Sequence, residues 1–231
     1  MTTIKTYDIT TQDGTRFSPH AWRTTMALAH KGLSTDCSKI GFTDIPGICD
    51  GGRKIVPTIE HGDTVLSDSW SIALYLEETF PEGPSLFGGE KGKAHAAFLN
   101  NWAAFSLHPL VIRVIILDIF NRLQDKDRDY FRTSREGRFG MSLEDFAAGG
   151  DEAQGKLKGV LMPLAKTLEA QPWMGGPVPS YADYIVFGAF QWVRTTSTFD
   201  LAALGGEPVQ KWLEATLALY DGLGRSEPAA S

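Results

Sequence analysis

Strand-like alternation and helical periodicity succeed one another over the first part of the chain. Residues 4–9 (IKTYDI) are rich in β-favouring side chains and predict a strand, which a polar segment follows. Ser18 predicts the start of a helix, because serine is a favoured N-cap and Pro19 is tolerated at the first helical position. The helix carries an apolar stripe at i, i+4 and i+7, formed by Trp22, Met26 and Ala29.

Two short apolar segments farther along, residues 55–59 and 64–66, predict a hairpin of strands, and a weak strand at 37–40 precedes them. Pro57 is unusual inside a strand, because proline cannot donate a hydrogen bond to the sheet ladder. It belongs on an edge, at a bulge or at a strand start. A cis Val56-Pro57 peptide bond would account for it.

A second helix precedes a linker, and helical patterns dominate from Lys93 onward. Residues 67–69 (SDS) predict the cap of this second helix. Residues 83–92 are dense in Gly and Pro, lack periodicity and predict a linker. Beyond it nearly every segment is helical, and residues 226–231 predict a frayed tail. Pro109 is expected to kink or split the first long helix, whose predicted core face carries Phe98, Trp102 and Phe105.

Composition limits the classes of function. The 231 residues carry a net charge of −6, which disfavours a broad electrostatic grip on nucleic acid or on an anionic membrane. Cys37 and Cys49 form no C-x-x-C motif and no cluster with zinc spacing, so we expect neither a disulfide scaffold nor a metal site. The scarcity of cysteine also predicts that the protein resides in the reducing cytoplasm. The most apolar run, 110–120, contains charges and is too short for a membrane span, and the N-terminus has no signal-peptide pattern.

Three motifs resemble those of the glutathione transferase superfamily. Val56-Pro57 resembles the cis-proline whose preceding residue offers its backbone to the cysteinyl unit of glutathione. Asp68-Ser69 resembles the acid–serine pair that holds the γ-glutamyl group. Residues 179–184 (PSYADY) resemble the buried capping box of the helical domain. Each motif alone is weak, but their order and spacing together are specific.

A narrower resemblance is to the bacterial lignin β-etherases and the fungal etherase-like (FuA) transferases. The first helix resembles theirs at Ser18-Pro19, at 22–24 (WRT) and at 31–33 (KGL). The later matching positions are Asp127, Asp129, Tyr130, Arg132, 134–136 (SRE) and 219–225 (LYDGLGR). The β-etherases carry a long extension after this last motif, whereas the present sequence ends at Ser231.

The superfamily resemblance implies an architecture and a co-substrate. It implies an α/β thioredoxin-like N-terminal domain at 1–82, a linker at 83–92 and an all-α C-terminal domain at 93–231. It also implies glutathione as co-substrate, a hydrophobic aromatic acceptor as second substrate, and a homodimer.

Ser18 is the candidate catalytic residue. The thiol of glutathione, like that of a free cysteine, has a pKa near ~8.5, so the site must favour the thiolate. The N-terminus of a helix does so through free N–H groups and partial positive charge, and a serine hydroxyl there can donate to the sulfur. A capping role alone is the structural alternative. Tyr7 is the rival, since several transferase classes use a tyrosine on the first strand, but the long segment 10–17 favours the serine type.

The other candidate site residues are assigned to parts of glutathione, and each has a structural alternative. Val56 and Pro57 would act through the backbone, and Asp68 would accept from the ligand's α-amino group or only cap its helix. Arg53 and Lys54 would pair with the glycyl carboxylate or remain solvated loop charges. The residues predicted to bind glutathione are Arg53, Lys54, Val56, Pro57, Asp68 and Ser69.

Several other polar residues have structural interpretations. Ser180 and Asp183 fit a capping box that serves folding. His20 and His30 are expected on the helix surface. The spacing i, i+4, i+7 predicts a basic helix face that carries Arg128, Arg132 and Arg135. This face is either solvated or salt-bridged, or it receives an anionic substrate.

Two functions from different classes remain. The first is a cytoplasmic transferase of the serine type that attacks an aromatic electrophile, with β-aryl ether cleavage as its specific form. The second is a non-catalytic carrier of glutathione or aromatic ligands. Thiol–disulfide exchange through the protein's own cysteine is disfavoured, because Ser18 stands where a redox relative has cysteine.

Overall fold

The N-terminal domain is built on a four-stranded sheet. In the computed structural model, which describes residues 3–231, the strand order is β2-β1-β3-β4. β1 and β2 are parallel and the other pairs are antiparallel. The first two residues of the predicted domain 1–82 lie outside the described part. The strands are β1 (Ile4–Ile9), β2 (Thr35–Ile40), β3 (Thr58–His61) and β4 (Thr64–Ser67).

Two helices complete this domain, and both begin where the sequence predicts. Helix α1 has Ser18 as its N-cap, and α2 has Asp68, whose carboxylate accepts a hydrogen bond from the N–H of Ser71 at 2.9 Å. The Val56-Pro57 bond is cis, and β3 starts only after it, at Thr58. The predicted thioredoxin-like fold is thus confirmed. The helices are α1 (Pro19–His30) and α2 (Ser69–Thr79).

The rest of the chain is helical, as predicted. Helix α3 begins at Glu90, inside the segment predicted as a linker. The larger helices are α3 (Glu90–Trp102), α4 (His108–Arg122), α5 (Asp125–Phe139), α7 (Gly150–Ala170), α8 (Tyr181–Thr196) and α10 (Glu207–Gly222). The short ones are α6 (Leu143–Ala147) and α9 (Leu201–Gly205).

The two domains meet along α1 and α8, which pack against each other over most of their length. Trp22 of α1 lies edge-on to Phe187 of α8, with ring centroids 6.2 Å apart. Tyr181 begins α8 and donates its hydroxyl proton to the carbonyl oxygen of Ser69 at 2.6 Å. The Ser180–Asp183 capping box is present, and Asp183 also accepts from the indole of Trp212 at 3.0 Å. These contacts fix the start of α1 relative to the helical domain.

The long helix from Glu90 to Arg122 departs from the prediction in one respect. Its π-helical turn, Ala103–Leu107, precedes Pro109, where a proline ring and its missing N–H disrupt the regular ladder. The predicted core face is wrong at Phe98 and Phe105, which are 66% and 81% exposed, whereas Trp102 is half-buried and packs against the core. The buried stripe is instead formed by Ala96, Leu99, Ala103 and Leu107.

This helix is also the one element of residues 3–231 that is long and apolar enough to cross a membrane by length and composition. The core helix of a globular protein passes the same test. Its most apolar part, in α4, is buried against α7 and α8 through Val111, Ile115 and Ile119. One stripe of this helix therefore belongs to the core of the helical domain in this structure.

The C-terminal tail is not frayed at its start, contrary to the prediction. Glu227 is 6% exposed and accepts a hydrogen bond from Nε of Arg16 at 2.7 Å. Its backbone carbonyl accepts from Arg194 at 3.0 Å. The segment that follows α10 thus closes over the loop before α1.

Candidate active site

Ser18 lies at the N-terminus of α1, where its side chain both caps the helix and faces a cavity. The side chain is 4% exposed, and its Oγ accepts a hydrogen bond from the N–H of Ala21 at 3.2 Å. Within residues 3–231 this is the one partner of the hydroxyl, so its proton is free to be donated. The first turn of α1 contains no acidic residue that would offset the positive end of the helix dipole.

The cavity beside Ser18 has a volume of about 860 Å³ and lies between the two domains. Its N-terminal-domain wall includes Ser18, Lys54 and Val56. The cis-proline motif and the helix start therefore converge on one space, although they are far apart in sequence. The aromatic side chains that line the helical-domain half are Tyr130, Phe131, Phe139, Phe146 and Trp192.

Of the residues predicted to bind glutathione, Lys54 and Val56 line the cavity, whereas Arg53, Pro57, Asp68 and Ser69 do not. The N–H of Asp68 donates to the carbonyl oxygen of Pro57 at 3.1 Å, which places the exposed carboxylate of Asp68 beside the cis-proline. Asp68 adopts a positive φ of 82°, while Ser69 is buried. Arg53 is paired with Asp50 at 2.5 Å, whereas Lys54 has no carboxylate within ion-pair distance in the described chain. Of the two cations, Lys54 is the better placed.

Tyr7 lies on β1 but outside the lining of the cavity. Its side chain is buried, and its hydroxyl donates to the carboxylate of Glu60 on β3. Burial raises the pKa of Tyr7 above its ordinary value. The phenol is thus engaged within the sheet, while the Ser18 hydroxyl faces the cavity.

Two histidines line the cavity near the start of α1, and the sequence prediction for one of them is wrong. His20 was expected on the surface, but it packs edge-on against His108 with ring centroids 5.4 Å apart. Burial and the nearby Arg23 lower the pKa of His20 to about 3, and the pKa of His108 is also well below its usual range. Both imidazoles are therefore neutral at physiological pH. His108 and Trp192 reach this place only through the tertiary fold.

Arg23 is a buried cation that the sequence did not mark as a site residue. It lies in α1 and donates to Oδ1 of Asn100 in α3 at 2.7 Å, and burial lowers its pKa. His30, the other histidine expected on the surface, is half-buried and forms hydrogen bonds with the hydroxyls of Tyr184 and Tyr220 at 2.7 and 3.0 Å. Both side chains join α1 to the helical domain.

A buried ionic cluster lies behind Ser18. Asp8 at the end of β1 is buried, and burial raises the pKa of its carboxyl to about 7 despite the opposing effect of the Arg16 guanidinium. Arg16 pairs with Glu227, and its guanidinium lies over the indole of Trp22, 4.7 Å from the ring centroid. This cluster holds the loop that leads into α1.

The described residues contain no group of three or more His, Cys, Asp or Glu side chains that could hold a metal ion. Cys37 and Cys49 are both free thiols. Neither cysteine lines the cavity, so a reactive thiol there would have to come from a ligand.

Comparison with known proteins identifies the family to which this chain belongs. Residues 17–79 match the glutathione S-transferase N-terminal domain, and residues 94–219 match the glutathione S-transferase C-terminal domain. The second match alone spans more than half of the chain, so the protein belongs to the glutathione S-transferase family.

Individual relatives agree with this membership. A glutathione S-transferase of Ceriporiopsis subvermispora, solved in complex with glutathione, is 26% identical with a TM-score of 0.82, covering 99% of this chain and 100% of that one. The glutathione transferase GSTFuA2 from Phanerochaete chrysosporium is 25% identical with a TM-score of 0.76, covering all of both chains. Glutathione S-transferase 1 of Dianthus caryophyllus is 38% identical over 71 residues, which is 32% of its length. This chain thus matches about a third of that curated relative.

Proposed function

We propose that this protein is a glutathione transferase of the serine type, in which Ser18 activates the thiol of glutathione. The observation that carries the proposal is that Oγ of Ser18 accepts from the N–H of Ala21 at 3.2 Å while facing the cavity. Because the hydroxyl accepts its capping bond, its own proton remains for the sulfur. Capping and thiolate stabilisation therefore use different parts of one hydroxyl.

The electrostatics of this position favour the anion. The free N–H groups at the start of α1 and the helix dipole stabilise negative charge, and no acidic side chain of the first turn opposes them. The neighbouring His20 is neutral, so it adds no charge that would alter this balance. A hydrogen bond to a charged sulfur is worth roughly 1.5–3 kcal/mol. That lowers the thiol pKa by about one to two pH units.

The rest of the glutathione molecule would lie along the N-terminal-domain wall. The backbone of Val56, next to cis-Pro57, would meet the cysteinyl unit. The Asp68-Ser69 pair at the start of α2 would hold the γ-glutamyl group, with the Asp68 carboxylate accepting from the α-amino group. Lys54 would pair with the glycyl carboxylate, with Arg53 as a more distant alternative because Asp50 already pairs with it.

The second substrate would occupy the helical-domain half, whose aromatic side chains suit a flat, hydrophobic acceptor. The sulfur would attack an electrophilic carbon, forming a C–S bond. In the specific case of a β-aryl ether, the C–O bond breaks and the phenolate leaves with the bonding electron pair. The resemblance of the sequence to the etherase-like transferases supports this version, and a FuA transferase is among the structural neighbours, at 25% identity.

We also propose that the protein is a cytoplasmic homodimer. Phe98 and Phe105 form an exposed apolar pair on the long helix, and such surfaces mark sites of association. Replacement of Phe105 by Ser should shift the protein from dimer to monomer in sedimentation velocity. A wild-type monomer at all concentrations would contradict the dimer.

The experiment that tests the function is release of a phenol from a panel of β-aryl ethers, and of halide from aryl halides, with and without glutathione. We expect release that requires glutathione and falls sharply in Ser18→Ala. The competing candidate is a non-catalytic carrier, which is supported by the capping roles of both Ser18 and Asp68. No release across the panel, with glutathione and aromatic ligands still bound, would favour the carrier.

A further inference from the structure

The charge of the acceptor half of the cavity is unlike that of the whole protein. The chain has a net charge of −6, yet the cavity lining contains one acidic residue, Glu152. Glu152 is paired with Lys156 at 2.5 Å and so leaves no net charge between them. The cationic side chains of the lining are Lys54, Arg113, Arg135, Arg138 and Lys156.

Arg135 is half-buried, as is Arg113, whereas Lys54, Arg138 and Lys156 are exposed. Its guanidinium lies over the ring of Phe131 at 4.5 Å and over that of Phe42 at 5.1 Å. Its hydrogen-bond acceptor in the described chain is the neutral hydroxyl of Ser134 at 3.2 Å. Burial lowers the pKa of Arg135, and no carboxylate of residues 3–231 lies within ion-pair distance. A half-buried guanidinium without an anion is costly to maintain for folding alone.

Two more arginines enclose a pair of stacked rings on the same side of the cavity. Phe139 and Phe146 are stacked with centroids 4.0 Å apart and an interplanar angle of 10°. Arg113 lies over Phe146 at 4.5 Å, and Arg138 lies over Phe139 at 6.0 Å. Arg113 contributes to lowering the pKa of Glu152, although the two are beyond ion-pair distance. The wall is therefore flat, aromatic and positively charged.

The arginines of α5 that lie outside the cavity are different. Arg128 pairs with Asp125 at 3.2 Å, and Arg132 pairs with both Glu136 and Glu144 at 2.9 Å. Of the three arginines that the helical spacing groups together, Arg135 alone lines the cavity and lacks a carboxylate in the described chain. Arg135 is therefore both half-buried in the cavity and without a carboxylate partner from the described chain.

We propose that the acceptor is an aromatic compound that carries a carboxylate, which Arg135 binds while the ring lies against the aromatic wall. The planar guanidinium can donate two parallel hydrogen bonds to a carboxylate. Its position over Phe131 and Phe42 holds it ready for this geometry. Arg113 and Arg138 add attraction that draws an anion into the cavity of an acidic protein. This inference rests on the proposed transferase function and adds the charge of the acceptor.

A matched pair of electrophiles tests the proposal. 4-Chloro-3,5-dinitrobenzoate carries the carboxylate, and 4-chloro-3,5-dinitrobenzamide is its neutral counterpart of similar shape. In both reactions the sulfur forms a bond to the carbon that bears chlorine, the C–Cl bond breaks, and chloride leaves with the electron pair. The thiol proton passes to solvent. The ratio of kcat/KM for the benzoate to that for the benzamide, corrected for the uncatalysed rates, isolates the effect of the charge.

We expect this ratio to exceed one in the wild type and to fall roughly 10- to 100-fold in Arg135→Met. Arg128→Met removes an arginine of the same helix outside the cavity and should keep the wild-type ratio. The preference should also weaken as salt is raised. A wild-type ratio near one, or equal ratios in wild type and Arg135→Met, would overturn the proposal.

A binding measurement separates this inference from the proposed function. The unreactive 3,5-dinitrobenzoate and 3,5-dinitrobenzamide should quench the part of the intrinsic tryptophan fluorescence that comes from Trp192 in the cavity, with the benzoate bound more tightly in wild type than in Arg135→Met. If the protein turns over the chlorinated benzamide but shows no preference for the benzoate in either turnover or binding, the inference is rejected and the transferase function is kept. Preferential benzoate binding without any turnover would reject the transferase and keep the anion site.

Discussion

Gly188 of α8 packs directly against the carbonyl group of Pro19, the first residue of α1. A Cβ at Gly188 would lie 2.2 Å from that oxygen, well inside van der Waals contact. Both atoms belong to the backbones of helices that join the two domains, so neither can move aside cheaply. The close approach fixes the start of α1, and with it Ser18, against the helical domain.

Gly188→Ala should therefore destabilise the protein by about 2 kcal/mol or more and reduce glutathione-dependent turnover. The matched control is Gly159→Ala in α7, where a Cβ meets nothing within 4 Å. That variant should gain about 0.5–1 kcal/mol from helix propensity. Urea unfolding measures both, and equal stabilities for the two variants would contradict the packing argument.

The Arg16–Glu227 pair should be a major tether of the loop before α1. Both side chains are nearly inaccessible, so Glu227→Gln removes the ion-pair partner of a buried guanidinium, leaves it only the nearby Asp8 carboxyl, and should cost about 3 kcal/mol. Glu214→Gln removes the exposed partner of Arg225 and should cost less than about 1 kcal/mol. Chemical unfolding of both variants at one pH tests this difference. Similar losses of stability in the two variants would show that the C-terminal segment does not stabilise the loop before α1.

Asp8 should make stability depend on pH in a characteristic direction. Its pKa is raised from 3.8 to about 7 in the folded protein, so the folded state holds this proton more tightly than the unfolded state. Stability from this group is present below about pH 4 and is lost as pH rises to about 7, by an amount on the order of 4 kcal/mol. Asp8→Asn cannot lose a proton.

The free energy of unfolding of Asp8→Asn relative to wild type should therefore rise between about pH 4 and 7 and then level off. The groups that face Asp8, namely Arg16 and Glu227, are present in both proteins, and so is His20, whose low pKa has the opposite effect. Their contributions cancel in the difference. Parallel stability curves for the two proteins would contradict the raised pKa.

Local features of the site could be predicted from sequence, and features that depend on long-range packing could not. The Ser18 cap and the cis bond at Pro57 follow from residue types and their immediate neighbours. The Arg16–Glu227 pair joins residues 211 positions apart, and nothing in the local pattern indicates it. Likewise, His108 reaches His20 only because α4 passes beside α1 in the folded protein.

The wrong core face of the long helix has a physical explanation. Periodicity shows that residues share a face, and Phe98 and Phe105 are indeed both exposed. It does not show which of two competing stripes is buried. The smaller side chains, Ala96 and Ala103, allow α3 and the π-helical turn to approach α8 closely, so that their stripe enters the core.

The central claim is that the Ser18 hydroxyl stabilises the glutathione thiolate. Ser18→Ala also removes a helix cap, worth about 1 kcal/mol, so the loss of capping needs its own control. Asp200→Ala provides it, because Asp200 caps α9 through the N–H of Ala203 at 2.9 Å and lies outside the cavity lining. Asp200→Ala should lower stability by a similar amount and leave the bound thiol unchanged.

The most direct test is a titration of bound glutathione, followed through the ultraviolet absorbance of its thiolate, in wild type and Ser18→Ala. We expect the pKa of the bound thiol to lie below the free value of about 8.5 in wild type and to rise by about one to two pH units in Ser18→Ala. Affinity for glutathione should be roughly retained and turnover largely lost. The same thiol pKa in both proteins, with both saturated by glutathione, would contradict the role of Ser18.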